Sequence, residues 1–238
     1  MKEWLYKYWK KIRKHYRMIE ASRKVRDTST SNVFNSYGNL ENINKYSEFK
    51  PSQIPSEITQ LTDLVNTLKP KVICEIGSYK GGTLHLFSQA APSDTLIISI
   101  DIDYPIERKL AHKNLVKAPQ RLVCLKGNTQ DPRTISRVMN VLKKRKIDFL
   151  FIDGDHSLFG VMNDYVRFYP LVKKSGVIAF HDINPDEFIK TGEQSSSYVG
   201  GVPQFWELIK KSNDHCVELI DNPVQDGFGI GLVYKSIE

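Results

Sequence analysis

Cysteine is scarce in this chain, three in 238 residues, and Cys74, Cys124 and Cys216 lie far apart inside apolar runs. Their odd number and the lack of any CxxC spacing exclude a disulfide framework and a cysteine zinc site, and a reducing cytosol fits that usage. Long hydrophobic runs are missing too. No stretch approaches the ~18–20 apolar residues of a membrane-spanning helix. The N-terminal region has neither an apolar signal core nor a small-residue cleavage site, so the expectation is a cytoplasmic protein without a secretory leader. Internal repeats and low-complexity segments are also absent.

Acidic residues are depleted in one place. Residues 1–26 hold ten Lys/Arg against Glu3 and Glu20, whereas the remaining residues hold 24 basic and 25 acidic side chains. The net charge of +7 therefore belongs to an appendage on a nearly neutral body, and it gives no reason to expect nucleic acid in a functional site. With 40% hydrophobic and 26% charged residues, that body has the make-up of one globular domain.

Residues 3–26 read as an amphipathic helix, with Leu5, Tyr8, Trp9, Ile12, Tyr16 and Ile19 three or four apart among lysines and arginines. Such a helix suits three roles: peripheral contact with the inner membrane surface, packing on its own enzyme or in a homodimer, or binding nucleic acid, which nothing else in the chain supports. A single apolar stripe favours packing or dimerisation. Residues 27–54, rich in Ser, Asn and Thr without a period, read as a linker or surface loop. Residues 55–238 form the expected domain, opened by a helix from Pro55 that Pro70 stops.

From residue 72 the pattern alternates. Apolar, β-branched runs at 72–76, 96–100, 121–125, 147–152 and 177–180 are separated by helical stretches near 82–90, 107–116, 131–144 and 160–173. Strands apolar on both faces, alternating with helices, predict a doubly wound α/β domain around a mostly parallel sheet. A helix at 205–212 and two strands, 216–220 and 229–234, follow; the short loop between the strands predicts an antiparallel hairpin at the sheet edge.

The chemistry concentrates after the strands. The run from Val72 to Thr83 is a strand, a Gly-rich turn (Gly77, Ser78, Gly81, Gly82) and a helix start, an arrangement that brings backbone N–H groups close to a ligand. Its spacing is not the dinucleotide GxGxxG. Glu75, two residues before the first glycine, would repel a pyrophosphate but suits a ligand carrying an amino group and a sulfonium. Asp101 closes the second strand, where an acid holds a ribose diol, with Asp103 as its neighbour and competitor. Asn128, after the third strand, is placed to address an adenine edge.

These motifs, together with Ile-Asp-Ile-Asp at 100–103, the run Asp148–Ser157 and the run Pro170–Asp182, resemble the class I S-adenosylmethionine-dependent methyltransferases. Within them the chain is similar to the branch of metal-dependent sugar and catechol O-methyltransferases and cephalosporin-hydroxylase-like proteins. The resemblance runs from about Gln53 to the C-terminal end and leaves residues 1–50 outside. It implies a Rossmann-like, seven-stranded sheet with the last strand antiparallel. It also implies S-adenosylmethionine held by Glu75, Gly77, Ser78, Gly81, Gly82, Thr83, Asp101, Asn128, Asp153 and His156. A divalent cation, Mg²⁺ or Mn²⁺, is the implied ligand of Asp153, His181 and Asp182. His at 181, where relatives carry an acid, shifts the preference away from hard Mg²⁺ toward Mn²⁺ or Fe²⁺. A site without metal is the competing reading.

The expected reaction is methyl transfer to a hydroxyl of a small molecule or glycan, with His156 as the favoured base and Asp153 beside it. Residues 184–203, long for a connection, read as a lid over the acceptor. Two other functions compete: a nicotinamide-dependent short-chain dehydrogenase, suggested by Tyr169-x-x-x-Lys173, and a non-catalytic cofactor-binding scaffold. Pro170 between the Tyr and the Lys speaks against the first.

Overall fold

The computed structural model describes residues 2–28, 35–212 and 215–236, with the side chains of residues 2, 4, 5, 8 and 28 outside the description. Five parallel strands carry the core: β1 (Val72–Ile76), β2 (Leu96–Asp101), β3 (Arg121–Lys126), β4 (Ile147–Ile152) and β5 (Val172–His181). β6 (Cys216–Leu219) and β7 (Ile230–Tyr234) complete a seven-stranded sheet in the order β3-β2-β1-β4-β5-β7-β6. β7 runs antiparallel to both neighbours, so the expected hairpin is present and β6 is the edge. This is the Rossmann-like methyltransferase fold.

Alternate side chains of each central strand feed two separate cores. Ile73, Ile97, Phe149 and Ala179 pack under α3 (Pro55–Leu68), α4 (Gly82–Ala90) and α5 (Ile106–Leu115). Cys74, Ile98, Leu150 and Ile178 pack under α6 (Pro132–Leu142), α7 (Leu158–Phe168) and α9 (Val202–Ser212). Burial on both faces is why these strands read as near-continuous apolar runs, broken by Glu75 in β1, Ser99 in β2 and Asp148 in β4.

Four expectations needed correction. Residues 27–54 are not a plain linker: they contain α2 (Ser36–Asn44), capped by the Asn35 side chain on the N–H of Gly38, and Leu40, Ile43 and Phe49 are buried in the first core. The polar sequence hid a helix that turns Leu40 and Ile43 inward and leaves Tyr37 exposed; residues 29–34 lie outside the description. The helix expected at 160–173 ends at Phe168, because Pro170 forces a 3₁₀ turn (Tyr169–Leu171) and β5 begins at Val172. Tyr169 and Lys173 thus share no helix, which removes the dehydrogenase pair.

The fourth concerns α1 (Lys2–Thr28). Met18, Ala21 and Val25 pack on the first core, while Trp9, Ile12 and Tyr16 of the expected packing stripe are exposed. Leu5 and Tyr8 of that stripe have side chains outside the description. No described helix is long and apolar enough to cross a membrane.

Candidate active site

A cavity of about 630 Å³ opens at the carboxyl ends of β1, β2, β3 and β4. Its first wall is the turn after β1. Gly77 has φ +84°, and a Cβ there would lie 1.8 Å from the Asp153 carbonyl oxygen, so the turns after β1 and β4 touch backbone to backbone. His112, buried on α5, pins the same turn by donating from Nε2 to the Lys80 carbonyl at 3.0 Å. Ser78, Gly81, Gly82 and Thr83 line the cavity as expected.

Glu75 is placed differently. It is fully buried behind the glycine wall, where the Thr83 hydroxyl donates to Oε1 and Oε2 has no partner. Burial raises its pKa to about 8, against the opposing hydrogen bonds of Thr83 and Ser78. Thr83 therefore stands between Glu75 and the cavity, so a ligand feels this acid through the wall.

Asp101 and Asp103 separate cleanly. Asp101 lines the cavity and accepts hydrogen bonds from the N–H groups of Tyr79 and Asp103, each at 2.9 Å, with Arg108 3.5 Å away. Asp103 points into solvent toward Arg108 and Lys126. Asn128 also lines the cavity, its Oδ1 accepting the Gln130 N–H in a turn.

The polar cluster expected after β4 and β5 is assembled on the far wall. His181 Nδ1 lies 3.2 Å from Asp153 Oδ1 and 3.3 Å from Asp182 Oδ2, and His156 lies 3.4 Å from each of the same carboxylates. Asp182 has φ +64°, uncommon for a non-glycine residue, and is fixed there by backbone bonds from Ile183 to Gly229 and from Asn184 to Phe228. One donor atom each from Asp153, His181 and Asp182 falls within 4.8 Å of the others. His181 Nε2 is buried without a partner.

The charges reinforce one another. Burial works against ionised Asp153, yet His181 and His156 hold its carboxyl well below the usual range. The hydrogen bond to Asp153, helped by the Asp182 charge, raises His156 to about 9. Burial opposes the charge on His181, but Asp153 and Asp182 outweigh it and raise its pKa to about 10. His156 is therefore mostly protonated at neutral pH, which runs against its expected readiness as a base.

The segment 184–203 is anchored rather than loose. It contains α8 (Glu187–Thr191), the Asp226 carboxylate accepts from Ser195 and Ser196, and Gly201 N–H donates to the His156 carbonyl at 2.7 Å. Tyr198 stacks on the His156 ring, with 6.2 Å between centroids. Ser197 reaches the cavity wall.

Sequence reasoning missed the stretch before α3. Lys50, Pro51, Ser52 and Gln53 close one side of the cavity, and Gln53 Nε2 donates to Asp153 Oδ2 at 2.9 Å. Nothing in that stretch has a period or a motif; only its place at the start of the resemblance marked it.

Comparison with known proteins finds the same fold. Residues 74–183 match a family described as a methyltransferase domain. An uncharacterized protein of Acanthamoeba polyphaga mimivirus, R132, is 32% identical over 127 residues, 51% of this chain and 57% of its own length. The caffeoyl-CoA O-methyltransferase of Stellaria longipes is 25% identical over 181 residues, 70% of each chain. The chain spans under three fifths of the first curated relatives, 57% and 58%. The crystal structure of a Bacillus cereus O-methyltransferase in complex with SAH superposes with a TM-score of 0.57 at 16% identity, over 87% of this chain and 94% of that one.

Proposed function

We propose that this chain, whose residues 74–183 match a methyltransferase domain, is a class I S-adenosylmethionine-dependent methyltransferase that moves a methyl group from S-adenosylmethionine to a hydroxyl of a small molecule or sugar. The observation that carries this reading is that one cavity has Asp101 on one wall and the Asp153–His181–Asp182 cluster on the other. Asp101, with its backbone donors already fixed, offers its remaining lone pairs to a ribose diol. The glycine turn leaves room for the amino-acid end of the cofactor. The name of the Stellaria longipes relative supports oxygen as the methylated atom.

In the reaction, a lone pair of the acceptor oxygen forms the new C–O bond as the C–S bond breaks and its electron pair stays on sulfur. The hydroxyl proton must leave as this happens. Two carboxylates and an imidazole nitrogen within 4.8 Å fit a borderline divalent cation such as Mn²⁺ or Fe²⁺ better than Mg²⁺. Asp153, His181 and Asp182 would hold it, and such an ion supplies Lewis-acid weakening of the acceptor O–H. A cation on those carboxylates would offset the negative charge that raises His156, and a His156 ring nitrogen would then be available to accept the proton.

The test is turnover on a panel of hydroxyl acceptors, before and after chelation. Activity lost with chelator and restored by Mn²⁺ supports the cation-assisted form. Activity that survives chelation but falls about 10²–10⁴-fold in His156→Ala supports the base alone. Failure to bind S-adenosylhomocysteine overturns the reading altogether.

A further inference from the structure

The N-terminal helix has two halves with different surroundings. Its second half runs parallel to α5: His15 pairs with Glu107 at 3.3 Å, and Asn114 donates to Ser22 at 3.0 Å, 92 residues apart in both cases. α5 starts at Ile106, close behind Asp101, at the edge of the sheet where the cavity opens. Residues 2–13 therefore extend past that edge, by roughly 18 Å at 1.5 Å per residue.

The projecting half is two-sided. Tyr6, Trp9, Ile12 and Tyr16 are 67%, 58%, 38% and 68% exposed. They recur at three and four residues and so share one face. Met18, Ala21 and Val25, which dock on the core, each follow one of these residues (Trp9, Ile12, Tyr16) by nine positions, half a turn around the helix. The aromatic face thus points away from the enzyme. Lys10, Arg13 and Arg17 lie along its flank, roughly 40–100° around the helix from Trp9 at about 100° per residue, and residues 2–17 hold seven basic side chains against Glu3.

We propose that this projecting half docks the enzyme on an anionic lipid surface, with the cavity mouth on the membrane side. Tyr and Trp settle at the headgroup level, while Lys and Arg reach lipid phosphates, the division of labour of an interfacial helix. A second copy is the weaker occupant, because two arms of this charge repel. Nucleic acid is also a weaker candidate, since the body that carries the arm is nearly neutral, with 24 basic and 25 acidic side chains in residues 27–238. On the methyl-transfer reading above, on which this clause alone rests, the acceptor hydroxyl belongs to a molecule presented at that surface.

The experiment is co-sedimentation of the full chain with phosphatidylcholine vesicles, pure or mixed with phosphatidylglycerol, without turnover. Binding to mixed vesicles only, abolished by high salt, is expected. Lys10→Glu and Arg13→Glu should each weaken it at least about fivefold, and Trp9→Ala should weaken it at unchanged charge. S-adenosylhomocysteine titration of each variant reports an intact fold and tests the enzymatic reading separately. Equal binding to pure phosphatidylcholine, or no binding, overturns the proposal. So does self-association that Trp9→Ala abolishes, or binding to a DNA duplex tighter than to the mixed vesicles.

Discussion

Gln53 Nε2 donates to Asp153 Oδ2 at 2.9 Å across 100 residues of sequence. This bond ties the segment that enters α3 to the acid that ends β4, and it leaves Asp153 Oδ1 to face His156 and His181. Asp153 is thereby aimed by a residue from outside the strand–helix repeat. The Gln53 carbonyl oxygen is itself buried without a partner, so this side chain is held for what its amide donates.

Gln53→Ala should leave the fold intact and loosen Asp153. Mn²⁺ affinity, measured by calorimetry, is expected to fall about 10- to 100-fold, as when a residue that orients a metal ligand is lost. An unchanged affinity would mean that Asp153 needs no such support.

Asp101→Ala removes a carboxylate already oriented by two backbone N–H groups. S-adenosylhomocysteine should bind about 10- to 100-fold more weakly, the worth of hydrogen bonds to a charged acceptor. Asp103→Ala, in solvent, should change affinity little, and a reversal of the two effects would reassign the ribose contact.

Gly77→Ala forces a methyl group to within 1.8 Å of the Asp153 carbonyl at a positive φ. Neither backbone can yield without moving a strand end, so destabilisation beyond about 3 kcal/mol is expected in urea unfolding. Wild-type stability would show that the two turns do not touch.

Glu75 gives a pH signature of its own. Its folded pKa, raised to about 8 from 4.5, means that the folded chain holds a proton that the unfolded chain has released. Stability from this group is therefore full below pH 4.5, declines as pH rises through about 8, and stays reduced above it. Glu75→Gln should flatten that decline, so the gap between the two urea midpoints should widen from pH 6 to 8. Parallel midpoint curves would place an ionised Glu75 in the folded state.

Much of this was legible along the chain because its causes are local. Strands buried on both faces are mostly apolar, so β1, β2 and β4 announce themselves by hydrophobicity. The turn at Gly77 needs a residue without a Cβ, and a strand ending in Asp101 places that acid at the sheet edge by periodicity alone. The cavity wall at Lys50–Gln53 (numbers 50–53), the retreat of Glu75 behind Thr83, the elevated pKa of His156 and the outward face of Trp9 were not legible. Each depends on which distant groups share a small volume. Burial and Coulomb interactions are set by distance in space, which spacing in sequence does not fix until the sheet has closed.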